Sequence, residues 1–240
     1  MILAAHQPAF MPFGGYLDRI AKADVFVFLN GVQFEKGSFT NRNRIKTQHG
    51  VRWLTVPVRA RNHFSRAIKD LEIDPLRPWA DTHIKTIRHA YSKAPRFFEN
   101  MKELEWLYEA NKGRLSDLCS FQLVFWLRQY GIDDTKLRLQ PDLPGNPRKS
   151  DLVLRLCQHF KADTYLSGPF GRDYLDLPAF SKAGITVEFQ EWNQPKYEQL
   201  WAEPFIQNLS ILDMWMNTEE NPFLSSQLTP MMKLSGVAGR

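Results

Sequence analysis

Three stretches of the chain combine residue types that bind anions or move protons. The first, His6 to Leu17, reads HQPAFMPFGGYL and follows an apolar run. A strand ending here and a helix starting at the glycines would leave backbone N–H groups free to hold a phosphate, and Gly14 and Gly15 would let a ligand approach the backbone. His6 would lie at the carboxyl end of the strand, where an imidazole forms hydrogen bonds or acts as an acid or base. A tight turn with a buried histidine is the alternative.

The second stretch, Val32 to Lys46, is dense in amide and cationic side chains. These are Gln33, Lys36, Asn41, Arg42, Asn43, Arg44 and Lys46. Such donors hold a carboxylate or a phosphate in more than one orientation. We expect Lys36, Arg42 and Lys46 to converge on the cleft beside the first stretch, with at least two of them reaching one bound anion. The alternative is a solvated basic loop, because charged runs usually face water.

The third stretch, Tyr165 to Leu175, reads YLSGPFGRDYL. A short strand that leads into a loop with a serine and two glycines is typical of a phosphate platform at a sheet edge. Glycines with a serine also form ordinary turns. We predict that this loop faces the same cleft as His6 and Gln7. Ser167 and Gly168 would line its other side.

The remaining polar residues carry weaker signals. His83 lies on an apolar helical stripe, where a histidine is more often a hydrogen-bonded core residue than a catalyst. The pattern of Phe205, Leu209 and Leu212 predicts a helix core, and Asp213 and Asn217, one turn apart, suit a cap or a pocket. HExxH, paired CxxC, GxSxG, Walker and GxGxxG motifs are absent from the sequence, which disfavours metal sites, common hydrolases, P-loop enzymes and nicotinamide dehydrogenases. No cofactor is required, although a nucleotide or another phosphate-bearing ligand fits.

Composition bounds the class of protein. The 240 residues are 43% hydrophobic, enough for the core of one domain. The net charge of +5 and the pI near 9.2 suit a small anionic substrate such as a nucleotide sugar, or an RNA. No apolar run approaches the roughly 20 residues that span a bilayer, and no signal peptide is recognisable, so we expect a cytoplasmic protein. Cys119 and Cys157 are expected to be reduced core residues.

The elements that must position these stretches follow an α/β pattern. Continuous apolar runs predict parallel strands, covered on both faces by helices, at 2–5, 25–29, 136–140, 164–166 and 185–190. Helices are predicted at 16–23, at 151–160 with Ser150 as its cap, and at 178–183. Residues 43–58 predict a β-hairpin around Gln48, His49 and Gly50. The whole chain, 1–240, is interpreted as a single α/β domain with a mostly parallel sheet, the hairpin excursion and a helical insertion at about 75–131. The tail after Asn217 is expected to end in a loop or to fray.

Several motifs in a fixed order resemble the WbqC-like protein family over nearly the whole chain. They are HQPAFMPFGGYL, ADVFVFLNGVQFEK, NRNRIK, RWLTVPV, WADTHIKTIRHAYSKAPRFF, YLSGPFGRDYL and NLSILDMWMN. The resemblance implies a bacterial protein linked to O-antigen, lipopolysaccharide and other surface-polysaccharide biosynthesis. It marks His6, Gln7, Pro8, Gly15, Tyr16, Gln33, Lys36, Asn41, Arg42, Asn43, Lys46, His83, Ser167, Gly168, Gly171 and Tyr174. Where the family commonly has a glycine after the last motif, this chain has Thr218, Glu219 and Glu220.

A fainter similarity connects the chain to nucleotidyltransferases and pantothenate synthetases of the HIGH-signature superfamily. It implies a parallel sheet that binds an adenosine phosphate across its carboxyl edge. The diagnostic HxGH is missing, because Pro12, Phe13, Gly14 and Gly15 occupy its place. The fold is therefore implied more directly than adenylyl transfer.

Together these observations favour a transferase that moves a group to or from a sugar or nucleotide sugar. His6 would be the acid or base, and the other marked residues would bind the substrate. A nucleotidyl- or acyl-transferase of another pathway stays open. So does a non-catalytic scaffold or RNA-binding factor, since the chain is basic and has no decisive nucleophile. Cations in a closed cleft would favour a small substrate, and a basic stripe outside it would favour RNA.

Overall fold

A computed structural model describes residues 1–59, 66–110, 113–201 and 203–224. Its strands are β1 Ile2–His6, β2 Val25–Phe28, β3 Arg42–Thr47, β4 Gly50–Thr55, β5 Leu137–Leu139, β6 Thr164–Ser167 and β7 Thr186–Phe189. Its helices are α1 Gly14–Lys22, α2 Trp79–Tyr91, α3 Phe97–Glu109, α4 Leu115–Gln129, α5 Lys149–Phe160, α6 Leu177–Lys182 and α7 Ile211–Asn217.

Five strands form a parallel sheet in the order β5-β2-β1-β6-β7. The predicted α/β class with a parallel sheet is confirmed. The chain adds strands on one side of β1 first and then returns to add β6 and β7 on the other side. This reversal between β1 and β6 is the topological switch point of a doubly wound sheet, next to which such folds bind their ligands.

Both faces of the sheet are covered, as the apolar strands predict. Leu3 and Ala5 of β1 contact one buried cluster, to which α5 and α6 contribute Leu156 and Phe180. Ala4 points to the opposite cluster, which includes Leu17 of α1. Successive side chains of a strand alternate between faces, so each strand contributes to both cores. The two cores hold α1 and α5 on opposite sides of β1.

The predicted hairpin and helical insertion are also present. Strands β3 and β4 pair antiparallel, with Thr47 opposite Gly50 across the turn. Gly50 has a φ of +97°, which a glycine adopts without the steric penalty of a side chain. Helices α2, α3 and α4 lie within 75–131 and share the core cluster of α1 and the hairpin. Both cysteines are buried free thiols, as predicted.

Three local expectations need correction or fall outside the described residues. Ser150 is not the cap of α5, because the helix begins at Lys149 and the Ser150 hydroxyl accepts a hydrogen bond from the Asp176 amide at 2.9 Å. Phe205 and Leu209 are not in a helix, since α7 begins at Ile211 after its cap, Ser210. Residues 225–240, which hold most of the predicted tail, lie outside the described part.

In the described part of the chain, no helix has the length and apolar character needed to cross a membrane.

Candidate functional site

The strand order reverses at the switch point, between β1 and β6. β1 is paired with β2 up to His6, and β6 is paired with β7 up to Ser167. Pairing between β1 and β6 ends earlier, at Leu3 opposite Tyr165. In a doubly wound sheet the ligand binds just beyond the carboxyl ends of the strands at this point. We call the region beyond the ends of β1 and β6, after His6 and Ser167, the switch-point crevice.

His6 is held at the edge of this crevice in one tautomer. Its Nδ1 lies 2.9 Å from the carbonyl oxygen of Gln7, which also accepts from the Tyr16 hydroxyl at 3.0 Å. A carbonyl only accepts, so Nδ1 carries the hydrogen and Nε2 keeps its lone pair. No hydrogen bond from a described residue engages Nε2. Burial, and next to it the charge of Arg19, lower the pKa of His6 from 6.5 to about 4, so the ring is neutral at neutral pH.

Arg19 of α1 brings a cation to the crevice that none of the three stretches predicted. Its side chain is 5% exposed, and Nε donates to Gln190 Oε1 at 2.9 Å. Gln190 follows β7, and its own amide donates to Gly15 O at 2.8 Å and to Asp18 Oδ2 at 2.7 Å. Asp18 pairs with Lys22 at 2.8 Å, and no carboxylate of the described residues forms an ion pair with Arg19.

The glycines of the third stretch serve two different contacts. A Cβ on Gly168 would lie 2.6 Å from Nη2 and 2.9 Å from Cζ of Arg19, so the guanidinium packs directly against this glycine. A Cβ on Gly171 would lie 1.9 Å from the Ser167 hydroxyl. Ser167 is buried, and this hydroxyl donates to Gly168 O at 3.0 Å. Gly168 therefore borders the crevice cation, whereas Gly171 and Ser167 shape the loop. Tyr174 lies near Tyr165 and Arg19.

The glycines at the start of α1 do not open the backbone to a ligand. A Cβ on Gly14 or Gly15 would lie 2.7 Å or 2.9 Å from atoms of the Trp192 indole. The interpretation that their missing side chains admit a ligand is therefore wrong, because Trp192 occupies that space. Tyr16 is buried, and its hydroxyl fixes the turn through Gln7.

The amides of the second stretch hold the fold together. Asn41 Nδ2 donates to Val56 O at 2.9 Å, across the hairpin. Asn43 is buried, and its Nδ2 donates to Met11 O at 2.6 Å and to Phe10 O at 3.3 Å. Both carbonyls belong to the turn that follows His6. The second stretch therefore positions the first one.

Two of the three cations expected to converge on the crevice, Lys46 and Arg42, have partners within the protein. Lys46 is 4% exposed, and its ammonium group reaches three oxygens, Gln199 Oε1, Trp201 O and Pro204 O, at 3.4, 3.3 and 3.1 Å. Arg42 Nε donates to Gly37 O at 3.1 Å, and its guanidinium lies 4.1 Å from the centre of the Trp53 ring. Lys46 is bound by the segment that follows β7, and Arg42 is bound by the loop that precedes β3.

The other marked residues lie in the surroundings of the hairpin. Lys36 and Gln33 are exposed, and Gln33 forms an isolated antiparallel bridge with Ala67. His83 is buried, with Nε2 3.1 Å from Thr55 O and Nδ1 3.2 Å from the Tyr108 hydroxyl. Burial lowers the pKa of His83 to about 4. Both ring nitrogens have partners, so His83 is a satisfied core histidine.

Arg19 and Gln190 were missed, and their sequence signals are faint. Every residue of α1 from Gly14 to Ala21 is buried, so helical periodicity does not single out the arginine. Gln190 directly follows β7, and Ser167 is the last residue of β6. A polar residue at the end of a parallel strand was the signal that could have identified Gln190. Asp213, weighed as cap or pocket, is buried and accepts from the Tyr91 and Tyr197 hydroxyls, both at 2.7 Å. Among the described residues, no three His, Cys, Asp or Glu side chains group as metal ligands.

Sheet order and crevice together define a doubly wound α/β protein with a candidate ligand site at its switch point. The chain belongs to the WbqC-like protein family, whose model matches residues 7–223. It is similar to the uncharacterized protein Rv1507c of Mycobacterium tuberculosis, with 33% identity over 218 residues, covering 90% of this chain and 93% of that protein. No solved structure matches the chain.

Proposed function

We propose that the protein is a cytoplasmic transferase of bacterial surface-polysaccharide biosynthesis, which moves a group to or from a sugar or nucleotide sugar in the switch-point crevice. The observation that carries the proposal is His6, a neutral imidazole at the end of β1 whose Nε2 lone pair is not engaged by the described residues. The family's link to surface glycans supports the substrate class.

His6 acts as the general base. Nε2 takes the proton of an acceptor hydroxyl or amine while that oxygen or nitrogen bonds to the transferred group, and the leaving group departs with its electron pair. The bond from Nδ1 to Gln7 O keeps the reactive tautomer in place. Burial chiefly, and the charge of Arg19 next, keep the pKa of His6 low; an anion beside Arg19 would offset the second of these effects, which favours an anionic substrate.

The test has two stages. A thermal-shift screen of nucleotides, nucleotide sugars and acyl donors identifies the ligand, because a ligand that binds only the folded chain raises its melting temperature. Turnover of that ligand is then measured for His6→Gln, which keeps a polar side chain but does not titrate near neutral pH. We expect a loss of about 100- to 10,000-fold with little change in melting temperature.

His83→Gln is the matched control. It removes a histidine of similarly low pKa that lies in the core, so we expect a lower melting temperature and retained turnover. Near-normal turnover of His6→Gln, or inactivity that accompanies unfolding, would contradict the proposed role of His6.

A second candidate, binding of an RNA strand, rests on a surface outside the crevice. Phe39 and Trp53 are 41% and 40% exposed, and the Arg44 guanidinium lies 5.9 and 5.7 Å from their rings. Exposed aromatic rings beside arginines stack bases and attract phosphates. Titration with a single-stranded RNA at two salt concentrations tests it. Binding that weakens with salt and with Trp53→Ala supports RNA, and no binding rejects it.

A further inference from the structure

Arg19 is a buried cation whose terminal nitrogens have no acceptor among the described residues. Its one hydrogen bond runs from Nε to Gln190, and Nη1 and Nη2 donate none to the described residues. Lys46, equally buried, has three oxygen acceptors. Buried cations are normally paired, because removing an unpaired charge from water costs free energy. Neither terminal nitrogen of Arg19 is among the fully enclosed unpaired atoms of the described chain, so both keep some contact with solvent.

The guanidinium lies beside the end of β6. It packs against Gly168, which follows β6, and its charge acts on His6, at the end of β1. The titratable groups near it come from both halves of the sheet and from α1. They are His6, Tyr16, Asp18, Tyr165 and Tyr174. Asp18 is the single carboxylate in this set, and it is already bonded to Lys22 and Gln190.

The arrangement is oriented in advance. Gln190 fixes Nε and is itself held by Gly15 O and Asp18, so the outer edge of the guanidinium has a set direction. That edge presents two parallel N–H groups, which match two oxygens of a phosphate or a carboxylate. An arginine that served only the fold would have its terminal nitrogens on protein oxygens.

We infer that Arg19, supported by Gln190 and bordered by Gly168, forms an oxyanion subsite of the switch-point crevice and binds the anionic group of the substrate through Nη1 and Nη2. This inference deepens the proposed function and rests on it only for the identity of the molecule that carries the anion. Phosphate of a nucleotide sugar and carboxylate of an acidic sugar share this chemistry.

The experiment uses inorganic phosphate, pyrophosphate and glucuronate as probes with the full chain. Binding is followed by calorimetry and by NMR titration of the His6 ring. An anion on Arg19 screens its charge, so we expect the pKa of His6 to rise from about 4 in wild type. Stronger binding of pyrophosphate than of glucuronate assigns the subsite to phosphate, and the reverse order assigns it to a carboxylate.

Three variants separate binding from folding. Arg19→Gln should weaken binding by about 10- to 150-fold, and Arg19→Lys, which keeps the charge but not the paired donors, should weaken it less. Arg128→Gln, the same change at an exposed arginine paired with Asp134, should bind as wild type. Without probe, Arg19→Gln should melt at or above the wild-type temperature, because an unpaired buried charge has been removed.

Unchanged anion affinity of Arg19→Gln overturns the inference. The inference is also overturned if Arg19→Lys melts at a lower temperature but binds the anion as tightly as wild type does. If Arg19→Gln fails to fold, the wild-type chain gives the test. A His6 pKa that stays the same in the presence of every probe overturns the inference. None of these measurements uses turnover. A chain that binds phosphate through Arg19 but transfers no sugar keeps the subsite and loses the proposed function. If His6→Gln loses turnover while Arg19→Gln still binds anions fully, the proposed function stands and the subsite is rejected.

Discussion

The hairpin stretch and the switch-point crevice differ in how their polar groups are used. The stretch Asn41 to Lys46 holds three cations and two asparagines, and its described side-chain hydrogen bonds end on protein oxygens, apart from Arg44 Nε, which is buried without a partner. The crevice holds one arginine and one histidine, and each keeps nitrogen atoms that no described residue bonds. Hydrogen-bonding capacity that the fold leaves unused therefore marks the candidate site better than the density of polar residues does.

Acid sensitivity tests this comparison with two histidines of equal pKa. The folded pKa of about 4 lies below the ordinary 6.5 for both His6 and His83, so each stabilises the fold above pH 6.5 and loses that contribution as the pH falls to about 4. The loss is about 1.4 kcal/mol per pH unit and about 3 kcal/mol in all for each histidine. Urea unfolding between these pH values measures it.

Replacing either histidine by glutamine should remove one histidine's share of the pH slope. Phosphate should then distinguish them, because an anion in the crevice raises the pKa of His6 alone. A slope that is unchanged in both variants, or an equal response of both rings to phosphate, would break the comparison.

Asn43→Ala should reduce stability without reducing anion binding. The change leaves the buried carbonyls of Phe10 and Met11 without their donor, which costs about 1–3 kcal/mol. Denaturant unfolding measures the loss, and Asn193→Ala, at an exposed position, is the control. A stable Asn43→Ala variant with weakened binding would move the second stretch back into the site.

The two glycines of the third stretch should respond in opposite ways. Gly168→Ala pushes the Arg19 guanidinium aside, so pyrophosphate affinity should fall about tenfold, roughly 1.4 kcal/mol, with little loss of stability. Gly171→Ala places a methyl group against the buried Ser167 and should destabilise the fold by about 1–3 kcal/mol. Calorimetry and thermal melts on both variants check the contrast. Equal behaviour of the pair would show that Gly168 serves packing alone.

Arg42→Ala should have the smallest effect. Its partners are Gly37 O and the Trp53 ring at a partly exposed position, and such a cation–π contact contributes about 0.5–1 kcal/mol. Affinity for the crevice anion should equal that of wild type. A loss of about tenfold or more in calorimetry would restore the original expectation that Arg42 grips the ligand.

Hydrophobic pattern alone predicted most of the secondary structure. Apolar runs and turn residues located the strands of the sheet and the hairpin around His49, and they predicted a helical insertion at about 75–131, because these depend on neighbours within a few residues. The same local signals placed His6 at the end of β1. They misplaced the cap of α5, since the Ser150 hydroxyl finds a partner in Asp176, 26 positions away.

The chain's sequence by itself determined its elements, its family and the candidate histidine. Tertiary structure alone decided that β1 and β6 end side by side and which polar groups stay unpaired there. Arg19 meets Gln190 171 positions away, and Lys46 finds its oxygens more than 150 positions away. Local periodicity does not report such distant partners. A cation becomes a binding group or a structural one only when the fold brings, or does not bring, protein oxygens to it.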